Sequence, residues 1–412
     1  MKKGYLILIL LGLVCSCAYS ASVNTYDEDF SIKVDVPDTS SKIVTKPQPF
    51  DNSFSSIELT QKMGNGINLG NTMEAYRGYN ASTKMEPTYY ERLWGQPEAQ
   101  PRHFYSFADA GFKSVRIPIA WTNMMDYEKG NYVISPKMLD RVEEVVNMAL
   151  DAGLYVIIND HWDGGWWGMF GSAKKEHREM AVKMYKSMWT QIANRFKNYS
   201  EKLIFEGGNE EHGDGFNLAT VFSNKKSGVL NENQKYDCAN KLNQCFVDVV
   251  RSTGANNKER FLLIPGFNTD IDKTAHQSRF KMPEDTAKNK LMISVHYYTP
   301  SDYCILAEDA SWGKVKLDWG TDSEKKAMEL NFKKMKEFVD NGYGVVIGEY
   351  GVSLTKDYKI KNGTASWLQN VLDNCSKYNY CPMLWDCSSL FLRTGRLGFT
   401  DAEIAEIYKS RE

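Results

Sequence analysis

From Ile57 onward the chain alternates short unbroken apolar runs with longer stretches in which apolar residues recur every three or four positions. An unbroken run reads as a strand covered on both faces; the longer spacing reads as a helix with one buried face. The runs are GINLG around Ile67, KSVRIPIAW around Val115, LYVIIND around Val156 and KLIFEGGNE around Ile204. They continue with RFLLIPG around Leu262, KLMISVHYY around Ile293, GVVIGEYG around Val346 and CPMLWD around Leu384. The clearest helix is predicted over 136–152, where Met138, Val142, Val145, Val146 and Ala149 share a face and Gly153 ends it. Segments 183–196 and 323–339 repeat the pattern. Eight strand–helix units in succession predict an α/β fold, the (β/α)8 TIM barrel. A doubly wound sheet would bring a glycine-rich phosphate loop after an early strand, and no G-x-G-x-x-G stands there.

The first residues follow another pattern. Lys2 and Lys3 precede an apolar run from Tyr5 to Val14, followed by Cys15-Ser16-Cys17. The run is too short to span a bilayer, and 1–17 reads as a lipoprotein-type signal peptide with Cys17 as the lipidated residue. Ala18 replaces the aspartate associated with inner-membrane retention, so an outer-membrane or cell-surface lipoprotein is expected, with secretion or a periplasmic location as the alternative. The membrane is then met only through the lipid. Residues 18–55 are polar, carry Pro37, Pro47 and Pro49, and read as a flexible tether to one folded domain over 56–412.

Composition narrows the function. The 412 residues carry a formal net charge of -2, which gives no electrostatic basis for binding nucleic acid. Beyond the signal the cysteines are Cys238, Cys245, Cys304, Cys375, Cys381 and Cys387, without C-x-x-C spacing, and the histidines include no H-x-x-x-H. No metal site or cofactor is expected, and the cysteines read as buried thiols or as one or two disulfides, Cys375 and Cys381 being nearest in sequence. A monomer is expected. Aromatic residues are plentiful at 13%, ten of them Trp.

The chemistry lies at the carboxyl ends of the runs, where a barrel gathers its active residues. Arg116 sits in the second run, and His161 with Trp162 follows the third. Asn209 and Glu210 follow the fourth, His296 and Tyr298 the sixth, Glu349 ends the seventh and Trp385 the eighth. A carboxylate at the end of a buried strand is costly unless something pairs with it, and two of them suggest an acid and a nucleophile facing one bond. Taken singly, Arg116 could be a structural ion pair, His161 a satisfied core histidine and Glu349 an acceptor for loop backbone. Glu206 and Glu211 compete with Glu210 for the acid.

Together with INLGNTMEAY, WGQPEA and FADAGFKSVRIPIAW, this ordered set resembles glycoside hydrolase family 5, in particular its endo-β-1,4-glucanase (cellulase) branch. The resemblance covers nearly all of 57–412. It implies a retaining endo-glycosidase in which Glu210 is the general acid/base and Glu349 the nucleophile, with carboxyl groups about 5–5.5 Å apart. It implies that Arg116 and Tyr298 hold the nucleophile, Asn209 bonds the sugar 2-hydroxyl, and His161 and His296 orient substrate and carboxylates. Trp385 is the implied sugar platform. Trp162, Trp166 and Trp167, on the glycine-rich segment HWDGGWWGMFG, could add to it or pack beneath the loop; Trp94, Trp121 and Trp312 are weaker candidates. The expected substrate is β-1,4-glucan, with xyloglucan, mixed-linkage glucan or β-mannan as alternatives. Glu211 departs from the proline the family usually carries there, and this departure is the motive for a rival reading, a surface glycan-binding lipoprotein without catalysis.

Overall fold

The computed structural model describes residues 24–77, 85–126, 130–220, 222 and 224–411. Eight parallel strands close into a barrel: β1 (Gly66–Asn68), β2 (Ser114–Ile117), β3 (Tyr155–Asn159), β4 (Leu203–Glu206), β5 (Leu262–Asp270), β6 (Leu291–Tyr297), β7 (Gly344–Tyr350) and β8 (Tyr380–Leu384). Each strand hydrogen-bonds to its neighbours in sequence, and β1 pairs with β8 to close the ring. Every predicted run overlaps one of these strands; β5 continues past its run to Asp270, and β8 starts one residue before its run, at Tyr380.

A strand inside a helical ring is buried on both faces. On β2, Val115 and Ile117 join the shell packed against the helices, while Ser114 and Arg116 alternate with them. At the amino-terminal end the barrel is filled by Ile157, Ile204, Leu263, Met292, Val346, Cys381 and Met383. Helix α1 (Ser56–Met63) closes that end with Leu59 and Met63, beside Phe54. Its start is fixed by a capping box between Ser55 and Glu58.

Outside lie α2 (Pro101–Asp109), α3 (Pro136–Asp151), α4 (Lys175–Phe196), α5 (Glu232–Ser252), α6 (Asp322–Lys334), α7 (Thr364–Tyr378) and α8 (Ala402–Lys409). Helix α3 ends as expected: Gly153, at φ 86°, donates to Leu150 while Leu154 returns to Ala149. The fifth unit differs from a regular barrel, because only the turn Ile271–Thr274 follows β5. The polar stretch after it, 281–290, has no apolar face to bury as a helix.

Residues 24–55 are not a free tether; they form a strap along the barrel wall. Tyr26 is buried and donates its hydroxyl to the Phe170 carbonyl at 3.0 Å, and its amide donates to Asp237 at 2.7 Å. Glu28 pairs with Arg178 at 2.6 Å, Thr39 donates to the Gln191 carbonyl at 2.8 Å, and the Gln48 amide donates to the Asn198 carbonyl at 2.8 Å. Phe54 then stacks on Phe261 at the base. Single anchors and backbone bonds hold the strap, which explains its polar sequence. The signal segment and Cys17 lie outside the described residues.

The six other cysteines are free thiols, so the possible disulfide between Cys375 and Cys381 is not formed. Burial pushes both thiols up, which keeps them unreactive.

Candidate active site

Apolar side chains fill the barrel floor, and above them sits Arg116, fully buried and the hub of the interior polar network. Its Nε donates to Glu206 at 2.6 Å, its Nη1 to Asn68 at 3.0 Å and to Glu349 at 2.8 Å, and its Nη2 to Asn209 at 2.9 Å. The ends of three strands, β1, β4 and β7, are thereby tied to one guanidinium on β2 by bonds that are strong because donor and two acceptors are charged. Asn68 extends the tie: its Nδ2 donates to the carbonyls of Gly348, Met383 and Leu384 at 3.0–3.2 Å. Asn159 does the same for Glu206 at 3.1 Å.

Glu349 is held from both sides. Arg116 donates to its Oε1 and the Tyr298 hydroxyl to its Oε2 at 3.0 Å. His161 Nε2 lies 3.9 Å from Oε1, and His296 Nδ1 lies 3.7 Å from Oε2. The same His296 nitrogen is 2.8 Å from Oε1 of Glu210. One oxygen from each glutamate and a His296 nitrogen all lie within 4.8 Å of one another. This trio is also a group among the described residues that could hold a cation. Glu210 is the open member, with 49% of its side chain accessible, against 7% for Glu349.

Electrostatics separates the two carboxyls. Burial pushes Glu349 up; His296 and Arg116 offset this only partly, and it stays above the ordinary value. Burial also acts on Glu210, but the His296 bond and charge, with Arg116, outweigh it and hold it below the ordinary value. His296 is pulled down by burial yet raised overall by Glu349 and Glu210, while His161 is held neutral by burial and by Arg116. In the open cleft, therefore, His296 favours ionised Glu210.

Glu211 is buried, and its Oε2 accepts from Asn209 Nδ2 at 3.3 Å. Burial and the Glu210 charge push its carboxyl up to about 8. Glu206 has Arg116 and Asn159 as partners and is fully buried, which removes it from contention as an acid that meets solvent or sugar.

The aromatic candidates divide by exposure. Trp385 is half-buried and stacks on His161 with centroids 5.7 Å apart and planes 9° apart, beside Glu349. Trp162 is exposed at the rim, edge-on to Tyr76. Trp166 does not face the cleft. It is wholly buried, stacked 4.5 Å from Trp167, and donates to Asp160 at 3.1 Å. The loop turns these rings inward because Asp163, Gly164 and Gly165 in succession take left-handed backbone angles. A Cβ at Gly164 would lie 2.2 Å from the Tyr76 ring, so only glycine fits. Trp121 is likewise buried, while Trp94 and Trp312 are exposed.

The structure thus brings together Arg116, His161, Asn209, Glu210, His296, Tyr298, Glu349 and Trp385. Sequence reasoning did not single out Asn68 and Asn159, although an amide closing each apolar run was the available signal. At the other end of the barrel a 390 Å³ cavity between Thr60, Lys113, Cys375 and Arg411 has no carboxylate in its lining.

The family model for cellulase (glycosyl hydrolase family 5) matches residues 70–390. The chain is 34% identical over 372 residues to a xyloglucan-specific endo-β-1,4-glucanase of Bacteroides ovatus, covering 86% of this chain and 70% of the relative. It is 34% identical over 360 residues to endoglucanase A of Paenibacillus barcinonensis, covering 81% and 83%. Among solved structures, a Bacteroides ovatus family 5 xyloglucanase in complex with a XXXG heptasaccharide superposes with a TM-score of 0.74 at 29% identity, over 92% of this chain and 80% of that one. The chain belongs to glycosyl hydrolase family 5, the cellulase family.

Proposed function

We propose that the protein is a retaining endo-glycanase that cleaves β-1,4-glucan, with Glu349 as nucleophile and Glu210 as general acid and then base. The observation that carries this reading is the pair of carboxylate oxygens within 4.8 Å, with His296 facing both and the Tyr298 hydroxyl bonded to Glu349. An inverting enzyme needs about 6.5–9.5 Å between its carboxyls to admit a water; a covalent route needs them close.

In the first step an oxygen of Glu349 bonds to the anomeric carbon. The glycosidic C–O bond breaks as Glu210 gives its proton to the departing oxygen. In the second, Glu210 takes a proton from water, whose oxygen bonds to the same carbon and releases Glu349. Substrate supplies the protonation that the open cleft lacks. A sugar over Glu210 strips water from its half-open carboxyl and raises its proton affinity, whereas Glu349 is already buried. Once Glu349 is esterified its charge is gone, and Glu210 ionises more readily, as a base must. Asn209 serves the 2-hydroxyl, and Trp385 and Trp162 offer ring faces to the apolar faces of sugars.

Xyloglucan is the second reading of the substrate, favoured by similarity to a xyloglucan-specific relative. Product analysis on cellulose, xyloglucan, mixed-linkage glucan and β-mannan decides between them. Loss of hydrolysis of a chromogenic β-glucan in both Glu210→Gln and Glu349→Gln is expected; full activity in either sinks that assignment. Binding of glucan without any product would favour the non-catalytic alternative.

Export and lipidation at Cys17 belong to the same proposal, supported by the basic start, the apolar run and the cysteine after it. An alkyne-tagged fatty acid should label the protein in cells, and Cys17→Ala should abolish labelling. A cell-surface or outer-membrane monomer follows, testable by surface proteolysis and light scattering.

A further inference from the structure

We infer that Glu211 is a positioning residue for hydrolysis, its buried carboxyl holding the Asn209 amide so that one N–H is left for the sugar. The inference rests on the function proposed above. Asn209 is 2% exposed and gripped at both ends. Arg116 Nη2 donates to its Oδ1 at 2.9 Å, and its Nδ2 donates to Glu211 Oε2 at 3.3 Å. An amide has no shape preference between its two ends, so its partners choose the orientation. The guanidinium admits only oxygen, and the carboxyl accepts from nitrogen. Nδ2 carries a second hydrogen, which remains for the 2-hydroxyl.

The surroundings build a place for this carboxyl. The Gly213 amide donates to the Glu211 carbonyl at 2.8 Å, closing a tight turn. Gly215 makes room, since a Cβ there would lie 2.8 Å from the Glu211 Cβ. Proline, the residue expected here from the family resemblance, has no side-chain acceptor. Facing Glu211 are Glu210 on its own loop, Glu349 on β7 and Asp160 after β3, with Arg116 reaching it through Asn209. Burial and Glu210 push Glu211 up to about 8, so at neutral pH it accepts the bond without adding a further negative charge. The bond to the 2-hydroxyl tightens in the transition state, so loss of its positioning should act on kcat.

The test compares Glu211→Ala and Glu211→Gln with the wild type on a soluble β-1,4-glucan, and follows the Asn209 side-chain amide by NMR in protein labelled with ¹⁵N-asparagine. In Glu211→Ala, kcat is expected to fall about tenfold, the worth of one ordinary hydrogen bond, with KM little changed. Glu211→Gln, which keeps a neutral acceptor, should restore most of kcat at pH 6. The amide signal should move in Glu211→Ala and stay near its wild-type position in Glu211→Gln. Unchanged kcat in Glu211→Ala, equal impairment of both variants, or an amide signal indifferent to Glu211→Ala overturns the inference. A wild-type protein that hydrolyses no glucan overturns the proposed function, while the amide signal still decides the role of Glu211.

Discussion

Arg116 and Glu206 pair at 2.6 Å with both side chains wholly out of water. A buried pair is weak evidence for stability, but breaking one is expensive, because the remaining charge has no solvent to turn to. Arg116 also neutralises Glu349, so its loss strands two carboxylates.

Arg116→Met is therefore expected to lower the unfolding free energy by about 3–5 kcal/mol. Glu206→Gln should cost less, since Arg116 keeps Glu349 as counter-ion. Urea unfolding of the two variants measures the difference, and equal losses would refute the account of Arg116 as the shared cation.

The two glutamates should separate by leaving group. Glu210→Ala is expected to lose about 10²–10⁴-fold on unactivated glucan, the usual contribution of a general acid. On aryl glycosides, whose phenolate departs without a proton, the first step should survive and appear as a burst. Glu349→Ala should lose both steps on both substrates. A Glu210→Ala variant equally poor on both would contradict its role as the acid.

Trp162 and Trp166 should respond in opposite ways. Trp162→Ala removes an exposed ring, so KM for glucan should rise while Tm holds. Trp166→Ala empties a fully buried site and should cost about 3–5 kcal/mol in stability. Thermal melts and steady-state kinetics on both variants check this.

Stability should fall as pH rises from 6.5 to 8. Glu211 is pushed up to about 8 and Glu74 to about 7, in each case by burial first, and Asp160 is pushed well above its ordinary value by burial and by Asp163. Above pH 6.5 the folded protein retains these protons and the unfolded chain has released them, so the slope is negative. His296, raised by Glu349 and Glu210 against the pull of burial, has the same sign. His103, His161 and His212, pulled down chiefly by burial, have the opposite sign, because the unfolded chain still holds part of their protons just above pH 6.5; this contribution fades by about pH 7.5, and the carboxyl groups that titrate higher outweigh it. The urea midpoint should be lower at pH 8 than at pH 6.5; a flat or rising midpoint would contradict this.

The barrel was legible because strands covered on both faces are written as apolar runs, and their carboxyl ends name the site residues directly. What sequence could not supply was direction. Trp166 stands in a glycine-rich loop that reads as open, yet left-handed turns carry its ring inward. Asn68 and Asn159 are neutral amides inside apolar runs, and only the closed ring makes them partners of Arg116 and Glu206. The strap has no helical or strand period to announce it, because its contacts are a few anchors rather than a continuous face.

That strap has a consequence for how the enzyme would sit in space. It starts beside the first turn of α5, where Asn233 donates to Asn24, and beside Phe170 in the loop after β3, both at the cleft end; it finishes at Phe54 on the base. A lipid at Cys17 would lie seven Cα steps from Asn24, a separation that covalent geometry limits to about 25 Å. The anchor would then moor the molecule by its mouth rather than its base, and a glucan chain would be engaged in the thin layer just above the bilayer.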